Sequence, residues 1–266
     1  MPDGAQPMEP HPRPQLERTG WISLNGSWDF AIDSDAIWRT PEQVTWDRQI
    51  KVPFSPETSE SGLLYTGFFK ACWYRRRFHC PRIEGTERLI LRFGAVDYAA
   101  AVWLNGKLAV RHEGGHTPFS ADITDLLVDG LQTVVVCADD DPHDLSKPRG
   151  KQDWQLEPHS IWYPRTSGIW QTVWLEVIPE ISIGYLRWTP NIELWEIGLD
   201  VRFAGPSQEG LRLGVKLWTG NTVIADDQYG LIGGELARRI VLSDPGIDDY
   251  RNELLWSPSR PTLIQA

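Results

Sequence analysis

The chain has 266 residues, a formal net charge of −10 and a pI near 5.1. That length is enough for two ordinary domains, each with its own hydrophobic core. The acidic balance argues against a nucleic-acid binder, because such proteins need a basic surface to displace phosphate counterions.

The sequence carries no sign of a membrane or secreted protein. No apolar run approaches the roughly 20 residues that span a bilayer, and the N-terminus has no apolar signal segment. Three cysteines without regular spacing do not form a disulfide framework, so we expect Cys72, Cys80 and Cys137 to be buried or half-buried thiols. These features predict a cytoplasmic chain with no membrane partner.

The first segment is polar and rich in proline, with five prolines among the first fourteen residues. So few apolar side chains cannot offset the entropy that ordering would cost. We therefore predict a disordered tail over residues 1–13.

Short apolar segments with alternating or β-branched residues then follow one another along the chain: SWDFAI, CWYRRRF, RLILRF, AAVWLNGKLAV, TVVVCA, QTVWLEVI, LDVRF and LRLGVKLW. Turn residues separate them and none sustains a long 3.6-residue period, which predicts an all-β chain. DITDLL fits a capped turn, and ELARRI fits either a helix or a strand. Because the pattern restarts after Pro179, we predict a two-sheet jelly roll over residues 14–179 and a smaller immunoglobulin-like sandwich over residues 180–266.

The stretch HEGGH at residues 112–116 fits the H-E-x-x-H pattern of zinc proteases. That pattern binds zinc only on a helix, where residues i and i+4 share a face. Here two glycines weaken a helix by about 1 kcal/mol each, and Asn105-Gly106 upstream signals a β-hairpin. We therefore predict that His112 leaves a strand and enters a loop, and we assign no metal site.

Four stretches occur in the order and spacing of one known family: LNGSWDF, WYRRRF, FGAVDYAAAVWLNGKLAVRHEGGHTPFSADITDLL and WYPRTSGIWQTVWLEV. Over residues 14–180 they resemble the N-terminal sugar-binding, galactose-binding-like jelly roll of glycoside hydrolase family 2, which includes β-galactosidases, β-glucuronidases and β-mannosidases. Residues 181–266 resemble, more weakly, the immunoglobulin-like domain of that family. The resemblance implies that the longer segment HEGGHTPFSADIT is a structural loop after the Asn-Gly hairpin, in which Phe119 plugs the core.

The resemblance also implies a retaining O-glycosyl hydrolase, in which a TIM barrel supplies two glutamates with carboxyl groups about 5 to 5.5 Å apart. The chain ends at Ala266, with no room for a barrel of about 250 residues. We therefore expect no catalytic residue here and a truncated, incomplete second sandwich. Asn252-Glu253 matches the Asn-Glu pair of the family's acid/base, but it lies in a sandwich turn and receives no catalytic role.

In the family, the loop between TVVVCA and RTSGIW carries an aspartate that contacts the sugar. Asp139-Asp140-Asp141-Pro142 occupies that place here. We assign Asp140 first and Asp141 second, because a carboxylate accepts hydrogen bonds from paired hydroxyls. A solvated acidic turn is the alternative interpretation.

The same loop continues with Lys151, Gln152, Asp153 and Trp154, which set polar groups beside an aromatic platform as sugar sites do. We expect Trp154 to be exposed, whereas Trp170 and Trp174 lie in a strand and belong to the core. Arg165 precedes a tight turn and is expected to hold the loop in place.

Three functions remain open at this point. The first is the non-catalytic sugar-binding and accessory portion of a family 2 glycoside hydrolase, with carbohydrate as the partner and no cofactor. The second is a stand-alone carbohydrate-binding module. The third is an accessory subunit for a separate chain that carries the barrel, and an exposed sandwich edge would also favour self-association. The sequence does not decide which sugar is recognised.

Overall fold

The computed structural model describes residues 10–242 and 251–266, which form strands, turns and four short 3₁₀ segments. No α-helix occurs in these two ranges, which confirms the all-β prediction. In the same ranges no helix is long and apolar enough to cross a membrane. The chain divides into two compact units, residues 1–178 (unit 1) and residues 179–266 (unit 2).

Unit 1 is built from antiparallel sheets. Its strands are β1 (Trp21–Ser23), β2 (Gly26–Asp33), β3 (Arg48–Val52), β4 (Ala71–His79), β5 (Arg88–Phe93), β6 (Val96–Asp97), β7 (Ala99–Leu104), β8 (Lys107–Glu113), β9 (Phe119–Asp122), β10 (Leu131–Asp139), β11 (Gly168–Ile169) and β12 (Val173–Ile178). One sheet has the order β1-β12-β5-β9, a second has the order β3-β2-β4-β10-β7-β8, and β11 pairs with β6. The connections contain 3₁₀ segments at Pro41–Gln43, Ser59–Ser61 and Thr124–Leu126, the last within DITDLL.

The two faces of the six-stranded sheet bury different side chains. On β4, Cys72 and Tyr74 belong to the main core, which also includes residues of the four-stranded sheet, whereas Trp73 belongs to a separate cluster. This alternation follows from the two-residue period of a strand. We call the separate group the outer cluster; it comprises Ala31, Val44, Trp73, Ala101, Trp103 and Val135, with Trp38, Trp46 and Cys137 packed against it. Each large apolar side chain buried in either cluster stabilises the fold by about 1.5–3 kcal/mol.

The three cysteines are free thiols, as predicted. Cys72 is buried, and Cys80 and Cys137 are half-buried. Burial raises the pKa of the Cys72 thiol well above its usual value and raises the pKa of Cys137 to about 12. Both thiols are therefore neutral at physiological pH and act as small apolar groups in the sheet.

A buried carboxylate fastens the start of the described chain to strand β12. The Glu176 side chain has no exposed surface, and it accepts hydrogen bonds from Arg13 Nη2 at 2.7 and 2.8 Å and from Trp174 Nε1 at 2.8 Å. Arg92 Nε and Arg18 Nε lie 2.8 and 3.2 Å from its Oε2. A buried charge is tolerated only when it is paired in this way.

The Glu176 cluster corrects one prediction. We predicted a disordered tail over residues 1–13; residues 1–9 lie outside the described part of the chain, but Arg13 is bound to Glu176 and His11 stacks edge-on against Trp21 with ring centroids 5.3 Å apart. Composition did not reveal this order, because the carboxylate that binds Arg13 lies 163 residues further along the chain.

Unit 2 is a smaller sandwich with its own core. Its strands are β13 (Ser182–Asn191), β14 (Glu196–Ala204), β15 (Arg212–Thr219), β16 (Thr222–Gly230) and β17 (Glu235–Val241), followed by a 3₁₀ segment at Arg251–Leu254. The sheets have the orders β13-β14-β17 and β15-β16. ELARRI is thus part of a strand. The core side chains come from both sheets and include Leu199, Val201, Leu217 and Ile240.

The Glu176 cluster predicts a pH-dependent contribution to stability. Burial opposes ionisation of Glu176, but the Trp174 hydrogen bond and the nearby arginines outweigh it and hold the pKa below its ordinary value of 4.5. We expect Glu176→Gln to lower the free energy of unfolding of unit 1 by about 3–5 kcal/mol at pH 7, because it leaves the arginines without their counter-charge. The difference from wild type should hold above pH 4.5 and shrink as the pH falls through the lowered pKa.

Urea denaturation at several pH values, with hydrogen exchange of peptides from β12, measures this difference. Asp125→Asn is the control, because Asp125 forms a salt bridge with Arg88 while its side chain is 80% exposed. We expect that change to cost less than about 1 kcal/mol. Equal effects of the two variants would contradict the role of burial.

Candidate functional site

The HEGGH segment is the end of a strand followed by a turn. His112 lies in β8, its Nε2 is 2.8 Å from Thr117 Oγ1, and its ring stacks on Phe119 at 4.4 Å. His116 lies edge-on to Trp170 at 5.4 Å. The two imidazoles therefore serve separate contacts, as the hairpin interpretation predicted. Residues 10–242 and 251–266 contain no group of three or more His, Cys, Asp or Glu side chains suited to a metal ion.

The second glycine of this segment allows the backbone to approach Asp97. A Cβ atom on Gly115 would lie 2.1 Å from Asp97 Oδ1, so only glycine fits there. The carbonyl of Gly115 accepts a hydrogen bond from Trp170 Nε1 at 2.7 Å. The turn thus joins the end of β8 to the polar loop that follows β10.

Arg165 is the central group of that loop. Its Nη2 donates to Asp140 Oδ2 at 2.9 Å and also to the Asp140 carbonyl, and its Nε lies 3.3 Å from the same Oδ2. Its Nη1 donates to the Phe69 carbonyl at 3.1 Å, and the guanidinium lies 4.8 Å from the centroid of the Phe69 ring. The Arg165 side chain is only 7% exposed. These contacts confirm that Arg165 holds the loop.

The two acids next to Asp140 each have a basic partner. Lys147 Nζ donates to Asp139 Oδ1 at 2.8 Å, and Lys70 Nζ lies 3.7 Å from Asp141 Oδ2. The backbone amide of His143 donates to Asp141 Oδ1 at 2.9 Å, and with Lys70 it lowers the pKa of Asp141. The acidic triplet is therefore a structured edge with compensated charge.

A fourth carboxylate, which the sequence analysis missed, completes this edge. Asp97 is buried, and burial together with the charge of Asp140 raises its pKa. Gln152 Nε2 donates to Asp97 Oδ2 at 3.1 Å, while Gln152 Oε1 accepts from the Thr166 amide at 3.2 Å. The only sequence signal was a polar residue between two strand-like segments, at Val96-Asp97-Tyr98.

Asp153 occupies a structural position. Its Oδ1 accepts the Gln155 amide at 2.9 Å, and its Oδ2 accepts both the amide and the Nδ1 of His159 at 2.7 Å. Burial opposes ionisation, but the two amide hydrogen bonds outweigh it and lower the pKa of Asp153. Its side chain is fully buried and both of its oxygens already have partners, which argues against the predicted role of Asp153 as a sugar ligand.

Trp154 and Lys151 lie on the surface beside it. Trp154 is 48% exposed, as predicted, and lies edge-on to His159 and Trp162 at 5.2 and 5.4 Å. Lys151 is exposed and accepts the Tyr163 amide on its carbonyl at 2.9 Å. Both remain available to a ligand.

Trp170 and Trp174 were predicted to lie in a strand and to be buried. Trp174 is buried in β12, but Trp170 follows β11 and is only half-buried. The indole N–H of Trp170 donates a hydrogen bond to the Gly115 carbonyl. No local sequence pattern indicates this contact, because the two residues lie in distant segments of the chain.

Asp97, Asp140, Asp141, Gln152 and Arg165 line a cavity of about 20 Å³ in unit 1. That volume holds roughly one water molecule. Within the described residues, the second carboxylate oxygen of Asp140 has no donor. The loop thus presents a rigid edge of hydrogen-bonding groups, which can contact one side of a ligand but cannot enclose a sugar ring.

Glu253 belongs to the 3₁₀ segment Arg251–Leu254, its side chain is 63% exposed, and its Oε1 lies 3.9 Å from Arg260 Nη2. The assignment of no catalytic role to Glu253 stays a prediction.

Comparisons with known proteins place these observations in a family. Residues 50–171 match the family model described as glycosyl hydrolase 2 galactose-binding domain-like. The β-glucuronidase of Mus musculus is 31% identical over 208 residues, which are 66% of this chain and 31% of that protein. The β-galactosidase of Thermoanaerobacter pseudethanolicus is 29% identical over 111 residues, which are 42% of this chain and 14% of that protein.

A solved structure supports the fold. The Bifidobacterium dentium β-glucuronidase, complexed with coumarin-3-O-glucuronide, has a TM-score of 0.69 and 22% identity, with 94% of this chain and 45% of that chain covered. This likeness confirms the predicted jelly roll followed by an immunoglobulin-like sandwich. The chain spans less than half the length of each of these relatives.

The contacts of Arg165 predict that lysine cannot replace it. An ammonium group cannot reach the Asp140 carboxylate and the Phe69 carbonyl together. We expect Arg165→Lys to lower the free energy of unfolding by about 2 kcal/mol and to expose residues 140–165 to proteolysis and hydrogen exchange. Arg82→Lys is the control, because Arg82 pairs with Glu84 while its side chain is 86% exposed. Unchanged protection of the loop in Arg165→Lys would refute its central role.

Proposed function

We propose, on the premise that this chain carries the N-terminal galactose-binding-like domain of glycosyl hydrolase family 2, that it forms the non-catalytic sugar-binding and accessory portion of such an enzyme. The observation that carries the proposal is the Arg165-held edge at the end of β10, where Asp140 has one carboxylate oxygen bound to arginine and the other without a donor. A rigid acceptor of this kind suits a sugar hydroxyl.

The chemistry of the edge favours a neighbour that offers hydroxyl groups. Asp140 is held in one orientation, so a hydrogen bond from a ligand costs little further side-chain entropy. Asp141 adds a second acceptor to this edge, and the same loop carries Lys151 as a donor and Trp154 as an exposed aromatic face. Sugars use this combination, because their C–H faces stack on aromatic rings while their hydroxyls need directed partners.

The small cavity implies that another surface completes the site. A cavity of about 20 Å³ cannot surround a pyranose, so the edge would supply one side of a larger pocket. In the proposed enzyme a TIM barrel supplies the remaining walls and the two glutamates of a retaining mechanism. That barrel belongs to the same polypeptide or to a separate chain.

The substrate class follows from the relatives. Those named above are described as a β-glucuronidase and a β-galactosidase, and the solved B. dentium enzyme is complexed with a glucuronide. We propose a β-glycoside as the substrate of the whole enzyme, with β-glucuronides as the first class to test.

The proposal predicts binding without hydrolysis. The purified chain should release no nitrophenol from nitrophenyl β-glucuronide, β-galactoside, β-mannoside or β-glucoside, whereas a full-length family 2 enzyme does. By saturation-transfer NMR it should bind glucuronate or galactose with a Kd at or above about 1 mM, equivalent to −4.1 kcal/mol. Asp140→Asn should weaken this binding at least threefold, and Asp125→Asn should leave it unchanged.

Each alternative function predicts a different outcome of these hydrolysis and binding measurements. Sustained hydrolysis by the chain alone would overturn the non-catalytic assignment. A Kd below about 10 µM would favour a stand-alone carbohydrate-binding module, since such affinity needs a complete pocket. Absence of binding to any sugar at 50 mM, roughly fifty times the expected Kd, would overturn the sugar-binding role of the edge.

A further inference from the structure

A much larger cleft lies on the outer face of the six-stranded sheet, away from the main core. Its volume is about 490 Å³, within the range of sites that hold small ligands. Its walls include Trp38 and Arg39 from the segment between β2 and β3, Trp73 and Trp103 from the sheet, and Arg111 from β8. None of these residues lines the Asp140 cavity.

Strand register creates the cleft. Trp73, Cys137, Ala101 and Arg111 lie side by side on four neighbouring strands, β4, β10, β7 and β8. The next row along the same face contains Asp139, Ala99 and Glu113. Alternate side chains of a strand share a face, so Ala99 and Ala101 both floor the cleft, and their small size leaves it open.

Aromatic groups form one wall. Trp73 and Trp103 stack with ring centroids 5.4 Å apart and an angle of 22° between their planes. The Trp73 side chain is buried, and its Nε1 has no hydrogen-bond partner among the described residues. Trp103 is buried as well, so the half-buried Trp38 supplies the aromatic surface that a ligand can reach.

The charges around the rim are not equally compensated. Asp139 accepts a hydrogen bond from Lys147 Nζ at 2.8 Å. By contrast, no carboxylate of the described chain lies within ion-pairing distance of the exposed Arg39 or Arg111 guanidinium. In a chain with a net charge of −10, two unpaired arginines on one cleft favour an anionic ligand.

We propose that this cleft is a second carbohydrate site, which binds an acidic saccharide through a pyranose ring against Trp38 and a carboxylate near Arg39 and Arg111. Both hydrogen-bond acceptors and donors line the rim, which suits a ligand rich in hydroxyls. The small alanine side chains of the floor leave space for the pyranose ring. The site does not depend on the Asp140 edge or on a barrel.

The full chain can be titrated by calorimetry with tetragalacturonate, with its methyl ester, in which each carboxylate is capped, and with neutral cellotetraose. We expect a submillimolar Kd for tetragalacturonate and at least tenfold weaker binding of the ester and of cellotetraose. The Trp38 indole N–H resonance, assigned with Trp38→Phe, should shift on binding. Equal affinity for the acid and its ester would overturn the role of the arginines.

Variants locate the site. Arg39→Gln/Arg111→Gln should reduce the preference for the acid over the ester at least tenfold, and Ala101→Leu, which fills the floor, should abolish binding. Arg82→Gln and Asp140→Asn should leave the affinity for tetragalacturonate unchanged. Loss of binding in Asp140→Asn, or full binding in Ala101→Leu with a wild-type melting temperature, would place the ligand outside the cleft. The two proposals can fail separately. If the cleft does not bind tetragalacturonate, weak monosaccharide binding that depends on Asp140 would still support the sugar-binding role of the Asp140 edge.

Discussion

The pairing of β10 within the six-stranded sheet is the constraint on which unit 1 depends. This strand pairs with β4 along all nine of its residues and with β7 along six. A register shift of one residue would exchange its two faces, sending Val134 and Val136 outward and Val135 and Cys137 into the main core. With this register, β10 ends at Asp139, and Asp140 then lies within hydrogen-bonding distance of Arg165.

Contacts between arginine and carboxylate side chains then hold in place the segments that are not part of the sheets. Glu176 binds the segment around Arg13 to β12, and Asp140 binds the loop before β11 to the end of β10. In each case a carboxylate that is buried or nearly so is partnered by guanidinium groups, the arrangement that makes such a charge tolerable. Arg39 and Arg111 are the contrast, because they lie exposed on the cleft and have no carboxylate partner in residues 10–242 and 251–266.

Sequence patterns predicted those features that depend on local periodicity. The alternation of apolar residues in SWDFAI and RLILRF predicted strands, and both segments are strands. Asn105-Gly106 predicted a hairpin before HEGGH, and both residues have the positive φ of such a turn. Long-range partners had no such signal. Asp153 seemed to be a free loop acid because its turn to His159 was not foreseen, and Asp97 was missed because Gln152 is 55 residues away. The cleft was invisible for the same reason, since its rows join four strands.

The two candidate sites differ in what they need from the rest of a protein. The Asp140 edge has well-ordered polar groups but a volume for about one water molecule, so its binding energy depends on a second surface that excludes solvent. The outer cleft has the half-buried Trp38, an alanine floor and a volume of about 490 Å³, so it has room for a pyranose by itself. A domain with this arrangement can add to a glycosidase in two independent ways: it completes the reaction site at one end, and it holds an acidic chain on its outer face while that site acts.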